Sequence, residues 1–280
     1  MKSVAQQIAA AIDREPTRLE SLSGGCVGEV YRVEFDTDEF LVAKVDTNGR
    51  LHTEAFMLEY LAPHLPVPGV VHADPNLLLM EWLPGSSRFS AGAETHAAEL
   101  LADLHRVTGE DFGLHRDTLI GGLPQPNAQT PEWVPFFVEH RLLHMAGLAM
   151  EQGNLDAATY KRIEAIADAA DRFLVEPEAP SLVHGDVWSG NVLAEGGRIT
   201  GFLDPAVYFG HREVELAFIT MFSTFGERFF AAYQERHPID AGFIEERRDL
   251  YNLYPNLVHV RLFGGAYLDA VQGILRRFGF

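Results

Sequence analysis

His184-Gly185-Asp186-Val187-Trp188-Ser189-Gly190-Asn191 is followed, after two short β-like runs, by Phe202-Leu203-Asp204-Pro205. The runs flank Glu195-Gly196-Gly197-Arg198, a turn that predicts a hairpin with about four residues in each arm. Residues at the base of one hairpin are neighbours, so Asn191 and Asp204 are expected side by side. A carboxylate and an amide oxygen are hard ligands suited to Mg²⁺, which keeps its other positions for water and phosphate oxygens. Asp186 precedes Asn191 in a loop and can face the same space without being a ligand. Phosphoryl transfer needs this division of labour, with metal on the phosphates and a separate carboxylate that orients the acceptor hydroxyl and takes its proton. Singly, each residue has a plainer reading as a turn, a helix cap or a solvated loop. The order Asp-x-x-x-x-Asn, hairpin, Asp is what points to catalysis.

The N-terminal part supplies the groups such chemistry still needs. A glycine-rich turn, Ser23-Gly24-Gly25-Cys26-Val27-Gly28, runs into an alternating stretch, and a turn near Asp36-Thr37-Asp38 leads to the strand Phe40-Leu41-Val42-Ala43-Lys44-Val45. Gly24, Gly25 and Gly28 do not spell G-x-G-x-x-G, but backbone N–H groups in such a turn can lie over phosphates. Lys44 inside an apolar strand is in general a snorkelling edge residue. Here it follows a glycine turn and precedes a helix, the order in which a strand lysine holds the α/β-phosphates and a helix glutamate orients it. Thr53 is read as the cap of that helix, running from Glu54 to about Ala62. Glu54 and Glu59 compete for the pairing, and Glu54 is preferred from its place in the first turn. Ser3 and Gln6 predict a capping box for an opening helix ending near Asp13. Leu77 to Leu83 reads as a buried strand, and Glu81, Trp82 and Leu83 are placed to offer backbone groups to an adenine edge. Pro84-Gly85 then sets a domain boundary, dividing the chain into 1–83 and 84–280.

Beyond it the periodicity is mainly helical: 97–107, 156–173, and everything from Glu213 onward, with a Gly/Pro-rich interruption over 118–127. The 280 residues suggest two domains or one large one, at roughly 150 residues per domain. With 47% apolar and 22% charged residues, the chain is neither disordered nor fibrous. The formal net charge of -18 disfavours nucleic acid and anionic membrane as partners. An anionic ligand must therefore be held locally. The lone cysteine, Cys26, excludes an internal disulfide framework and a multi-cysteine zinc site. No signal-like segment and no apolar run of membrane-spanning length is visible, so the expected compartment is the cytoplasm.

With these residues assembled, the sequence resembles the fructosamine kinase (ketosamine 3-kinase) family, within a wider group that includes aminoglycoside and choline kinases. The wider likeness rests on His184-Gly185-Asp186 with Asn191 and Asp204, and on Leu101-Ala102-Asp103-Leu104-His105. The narrower one adds Ser23-Gly24-Gly25-Cys26, Trp188 within the catalytic stretch, Ile120-Gly121 with Gln125 and Asn127, Trp133 with Phe136-Phe137 and Arg141-Leu142, and the run from Asp204 through Gly210-His211-Arg212-Glu213-Val214-Glu215 to Ala217. The resemblance implies a two-lobed, protein-kinase-like α+β fold, with a β-rich N-terminal ATP-binding lobe and a larger helical lobe. It implies ATP-dependent phosphorylation of the 3-hydroxyl of a ketoamine, the Amadori adduct of a sugar and an amine, free or protein-bound, in deglycation repair. Asp186 is then the proton acceptor, Asn191 and Asp204 the Mg²⁺ ligands, and Lys44 with the glycine turn and hinge the ATP site. Trp188 either stacks on substrate carbons or packs in the core; His211 is a further substrate candidate. Glu213 is expected to serve the helix dipole and Glu215 to brace the catalytic loop.

Two departures from protein kinases are informative. Gly185 stands where an arginine reads activation-loop phosphorylation, and Pro205 where a switching phenylalanine sits; both predict a constitutively competent small-molecule kinase. Cys26 reads as a small turn residue, with a redox-sensitive thiol forming an intermolecular disulfide as the bolder hypothesis. The competing functions are a kinase of another hydroxylated amine, such as an aminoglycoside or choline, and a nucleotide-binding pseudokinase. The first calls for an acidic acceptor pocket, the second for loss of Lys44, Asp186, Asn191 or Asp204.

Overall fold

Leu77, Leu78, Leu79 and Met80 are apolar at every position because their strand is covered on both faces. Successive strand side chains point in opposite directions. Leu77 and Leu79 meet Ile8, Val33, Phe35 and Ala43 on one side, while Leu78 and Met80 meet Leu51, Ala55 and Leu58 on the other. The structure is a computed structural model and describes residues 3–22, 28–37 and 39–280. Within it, strands β1 (Arg18–Leu22), β2 (Glu29–Glu34), β3 (Phe40–Val45), β4 (Val70–Ala73) and β5 (Leu77–Glu81) pair antiparallel in the order β1-β2-β3-β5-β4.

Helix α1 (Val4–Ile12) covers the first face. Its capping box is as expected: the Ser3 side chain accepts from the Gln6 N–H, and the Gln6 side chain accepts from the Ser3 N–H. Helix α2 (Leu51–Leu61) covers the second. Leu51, Ala55 and Leu58, spaced along one stripe, face the sheet, while Met57 and Leu61 join the large core formed with the C-terminal helices. The expected start at Thr53 is corrected here. The helix begins at Leu51 with Arg50 at its N-cap and no side-chain cap bond. Burying Leu51 against the sheet outweighs the local capping preference of Thr53. Strand β1, mostly polar and half-exposed, has little apolar alternation to announce it.

The remainder is mainly helical: α3 (Ala91–Leu104), α4 (Trp133–Phe137), a π-helical stretch Val138–Leu143, α5 (His144–Glu151), α6 (Ala157–Asp168), α7 (Glu213–Met221), α8 (Glu227–Arg236), α9 (Arg248–Phe263) and α10 (Leu268–Arg277). Helix α3 starts six residues before its expected position, where Ser90 caps it by accepting the Ala93 N–H. Asp156 caps α6 in the same way, and that helix gives way to a 3-10 turn, Ala170–Arg172, short of the expected end. Three short strand pairs interrupt the helices: β6 (Thr118–Ile120) with β7 (Leu123–Gln125), β8 (Ser181–Val183) with β11 (Tyr208–Gly210), and β9 (Val192–Glu195) with β10 (Arg198–Phe202). The last pair is the hairpin anticipated between Asn191 and Asp204. No helix among the described residues is long and apolar enough to cross a membrane.

Candidate active site

Strand parity aims Lys44. Ala43 faces α1, so Val42 and Lys44 face α2. There the Lys44 ammonium donates to Glu54 Oε1 at 2.5 Å and to Asp204 Oδ1. Glu59 is exposed on another face of α2. Lys44 is 9% exposed. Burial alone would lower its pKa, but the charges of Asp204 and Glu54 outweigh it and hold the group ionised. Glu54 is pushed up by burial against the opposing pull of Lys44.

The loop from His184 to Asn191 is set by a close backbone approach. Gly185 has φ +87°, and a Cβ there would lie 2.3 Å from the Ala206 carbonyl oxygen. The Ala206 N–H donates to the His184 carbonyl at 2.7 Å across the same contact. Only glycine fits both the left-handed conformation and this spacing. From below, Glu215 accepts the Gly185 N–H at 2.6 Å and the His184 N–H at 3.3 Å. His105 Nε2 lies 2.9 Å from Glu215 Oε2, and His105 Nδ1 lies 2.7 Å from the Tyr233 hydroxyl. An ionised carboxylate only accepts, so His105 Nε2 carries the proton. Burial favours a raised pKa for Glu215, but the bonds from His105 and Gly185 hold its carboxyl below its ordinary value. The expected brace under the loop is therefore present.

Above it, Asn191 Nδ2 donates to the Asp186 carbonyl at 3.0 Å and to Asp186 Oδ2 at 2.9 Å. Burial, then the charge of Asp204, push the Asp186 carboxyl up to about 8, against the lowering by Asn191. Val192 pairs with Phe202, and the Leu203 N–H donates to the Asn191 carbonyl at 2.8 Å, so the hairpin base brings Asn191 and Asp204 together. Asp204 has φ 50°, a conformation uncommon for a non-glycine residue. Gln125 and Asn127 anchor the segment beyond Asp204 and its support: Gln125 Nε2 donates to the Ala206 carbonyl at 3.0 Å, and Asn127 Nδ2 donates to Thr118 Oγ1 at 2.8 Å.

Lys44, Glu54, Asp186, Asn191 and Asp204 line one cavity. A neighbouring cleft of about 320 Å³ is lined by Val30, Val42 and Met80 together with Glu81, Trp82 and Leu83. Gly28, φ +74°, sits where a Cβ would come within 2.4 Å of the Val45 carbonyl oxygen, so glycine there permits the close approach of the chain entering β2 to the end of β3. Gly24, Gly25 and Cys26 lie outside the described residues. The donor set suits a hard cation. The Asn191 amide spends its NH₂ on Asp186, which leaves its oxygen for a ligand, and Asp204 retains 42% side-chain exposure. Three carboxylates there meet Lys44 and Arg50. Arg50, which the sequence did not single out, donates to the Gly122 carbonyl in the β6–β7 turn.

Trp188 borders this cavity and a second one, with its ring 5.8 Å from Phe222. One expectation is corrected. His211 lines neither cavity: it is 1% exposed, packed between Trp133 and Tyr251, with Nδ1 accepting the Glu213 N–H at 3.1 Å. Glu213 does lie in the first turn of α7, as expected, but its role extends beyond the helix dipole. It is buried and bidentate to Arg247, at 2.7 Å for each bond. Both partners come from distant parts of the chain, which local pattern cannot register.

The profile of the fructosamine kinase family matches residues 1–278. A probable ketoamine kinase from Synechocystis sp. is 33% identical over 99% of this chain and 96% of that protein. The chloroplastic protein-ribulosamine 3-kinase of Arabidopsis thaliana is 33% identical over 92% of this chain and 82% of its own length. A crystal structure of a candidate fructosamine-3-kinase from Thermobifida fusca superposes with a TM-score of 0.88 at 32% identity, covering 98% of this chain and 97% of the other. An aminoglycoside phosphotransferase in complex with AMP-PNP and hygromycin B aligns with a TM-score of 0.69 at 18% identity, over 99% of this chain and 96% of the other, a likeness of fold alone. The fold is thus protein-kinase-like, and the chain belongs to the fructosamine kinase family.

Proposed function

We propose that this chain transfers the γ-phosphoryl group of ATP to the 3-hydroxyl of a ketoamine, free or protein-bound, and so acts in deglycation. The observation that carries the reading is the position of Asp186, which borders both the cavity holding Lys44, Asn191 and Asp204 and a separate aromatic cavity able to hold an acceptor. In this reading Lys44, oriented by Glu54, holds the α/β-phosphates, and the strand segment from Glu81 to Leu83 meets the adenine. Asn191 and Asp204 would hold Mg²⁺, which when bound neutralises phosphate charge. Asp186, fixed by Asn191 and raised in basicity by burial, orients the 3-hydroxyl. It accepts the proton as the new O–P bond forms and the bond to the departing ADP breaks. In this reading the chain divides into lobes 1–83 and 84–280, with the phosphate-holding lysine in the first and the acceptor loop in the second.

The aromatic cavity weighs against an aminoglycoside acceptor. Its acids are Asp186 and Glu215, and Glu215 is already engaged by backbone N–H groups and His105. A polycation would find no acidic cluster there. A pseudokinase reading has to explain why all four chemical groups remain and face one cavity. The test is ATP turnover against fructose-, ribulose- and erythrulose-derived lysine adducts beside aminoglycosides and choline. At least one ketoamine should be phosphorylated, and Asp186→Ala should lose about 10²–10⁴ in kcat while still binding ATP. Turnover of aminoglycosides or choline with none on any ketoamine would overturn the assignment.

A further inference from the structure

The second cavity beside Asp186, about 220 Å³, runs past Trp188 to the last turn of α9. Its chemistry differs from that of the phosphate side. Glu215 is saturated, the Tyr254 hydroxyl donates to Gln125 Oε1 at 2.9 Å, the Tyr251 hydroxyl accepts from Trp133 Nε1 at 3.2 Å, and His259 Nδ1 lies 2.7 Å from the Pro255 carbonyl oxygen. What remains is mainly a ladder of rings, with the Trp188 indole N–H, His259 Nε2 and the Tyr267 hydroxyl as its polar points. Trp188 lies 5.8 Å from Phe222, Phe222 5.3 Å from His259, and His259 5.6 Å from Phe263 and 4.6 Å from Tyr267. The ladder surfaces at Phe263, which is 52% exposed, the largest value among the exposed large hydrophobic side chains described.

A ketoamine has two unlike arms on either side of its 3-hydroxyl. One is the polyhydroxyl remainder of the sugar; the other, through C2 and C1, is the amine and its substituent. If Asp186 takes the 3-hydroxyl proton, one arm must enter the aromatic cavity. A polyhydroxyl chain placed there would find few partners, and each hydroxyl left without one would cost roughly 1–3 kcal/mol. An apolar substituent would gain by burial. The protonated secondary amine would sit near Trp188, where an aromatic face attracts a cation. A cavity of about 150 Å³ is known to accept benzene, so this one has room for a phenyl ring on a short linker.

We propose, on the basis of the ketoamine kinase reading, that this cavity receives the amine substituent. Phe222, His259, Phe263 and Tyr267 then make the enzyme selective for ketoamines of amines bearing an aromatic or similarly apolar group. The experiment compares the fructose adducts of 2-phenylethylamine and methylamine, which share sugar and charge, with wild type, Phe263→Ala, Phe263→Ala/Tyr267→Ala and Asp186→Ala. Wild type should favour the phenylethyl adduct in kcat/KM by roughly 10- to 100-fold, mainly through KM. The double variant should bring the ratio to within about threefold of one. Phe263→Ala truncates an exposed ring, so it reports the same trend even if the double variant does not fold; thermal melts identify that case. Equal use of both adducts by wild type, or a preference that survives truncation, overturns the cavity assignment and leaves the ketoamine kinase reading standing. No turnover by wild type of either amine's adduct with fructose, ribulose or erythrulose, matching Asp186→Ala, overturns that reading and this one with it.

Discussion

Glu215→Gln tests whether the carboxylate under the loop from His184 to Asn191 is needed as a charge or only as a shape. Glu215 is 2% exposed and accepts at both oxygens, from Gly185 on one side and from His184 and His105 on the other. An amide can accept at one end only. Turning its NH₂ toward Gly185 would oppose two donors where the N–H now sits 2.6 Å from oxygen. The carbonyl must therefore stay with Gly185 and the NH₂ face His105. His105 can adapt by moving its proton to Nδ1, because the Tyr233 hydroxyl beside it both donates and accepts. The His184 N–H cannot adapt. The change replaces a charge-assisted bond by a neutral one, about 1 kcal/mol, and strands one buried N–H, about 1–3 kcal/mol. The total loss is about 2–4 kcal/mol, and at roughly 0.6 kcal/mol per kelvin for a chain of this size it lowers Tm by about 3–7 °C. Because the stranded N–H is two residues before Asp186, kcat should fall at least about tenfold with KM for ATP little changed. Scanning calorimetry and steady-state kinetics read both quantities. A Tm within 1 °C of wild type together with unaltered kcat would refute the argument that charge, not volume, braces the loop.

Two further outcomes are expected. Gly185→Ala places a methyl group against the Ala206 carbonyl at a positive φ, so it should separate the loop from the segment after Asp204 and reduce kcat by about 10² or more, measured in the same assay; wild-type turnover in a folded variant would contradict this. His211 is held neutral, its pKa lowered to about 3 by burial first and then by Arg212, Arg247 and His105. The unfolded chain binds a proton below about 6.5 that the folded one refuses, so this contribution to stability is complete above that pH and lost as pH falls toward 3. Between pH 7 and 5 wild type should lose about 2 kcal/mol more than His211→Asn, which retains an acceptor for the Glu213 N–H but does not titrate; parallel denaturation curves would exclude it.

The aromatic wall and the buried ion pair show where sequence reading stops. The α9 ring positions read only as helix, since a residue's helical spacing does not say which neighbour it meets. Glu213 and Arg247 are 34 positions apart, and nothing near either announces the other. Arg141 is likewise fully buried, donating to Asn127 Oδ1 and lying 3.9 Å over the Tyr208 ring, a placement legible only once α4, the π-helical stretch and β11 are packed together.

By contrast, the spacing of Asp186, Asn191 and Asp204 around one hairpin, the parity that turns Lys44 toward α2, and the capping box at Ser3 were all determined by the chain's local order. Backbone geometry repeats every two residues in a strand and every 3.6 in a helix, so these features depend on near neighbours alone. The tertiary structure decided the start of α2, the contact of Lys44 with Asp204, the burial of His211, and the chemical contrast between the two cavities at Asp186. Each of those depends on which faces of distant segments meet, and that is set by packing the whole core.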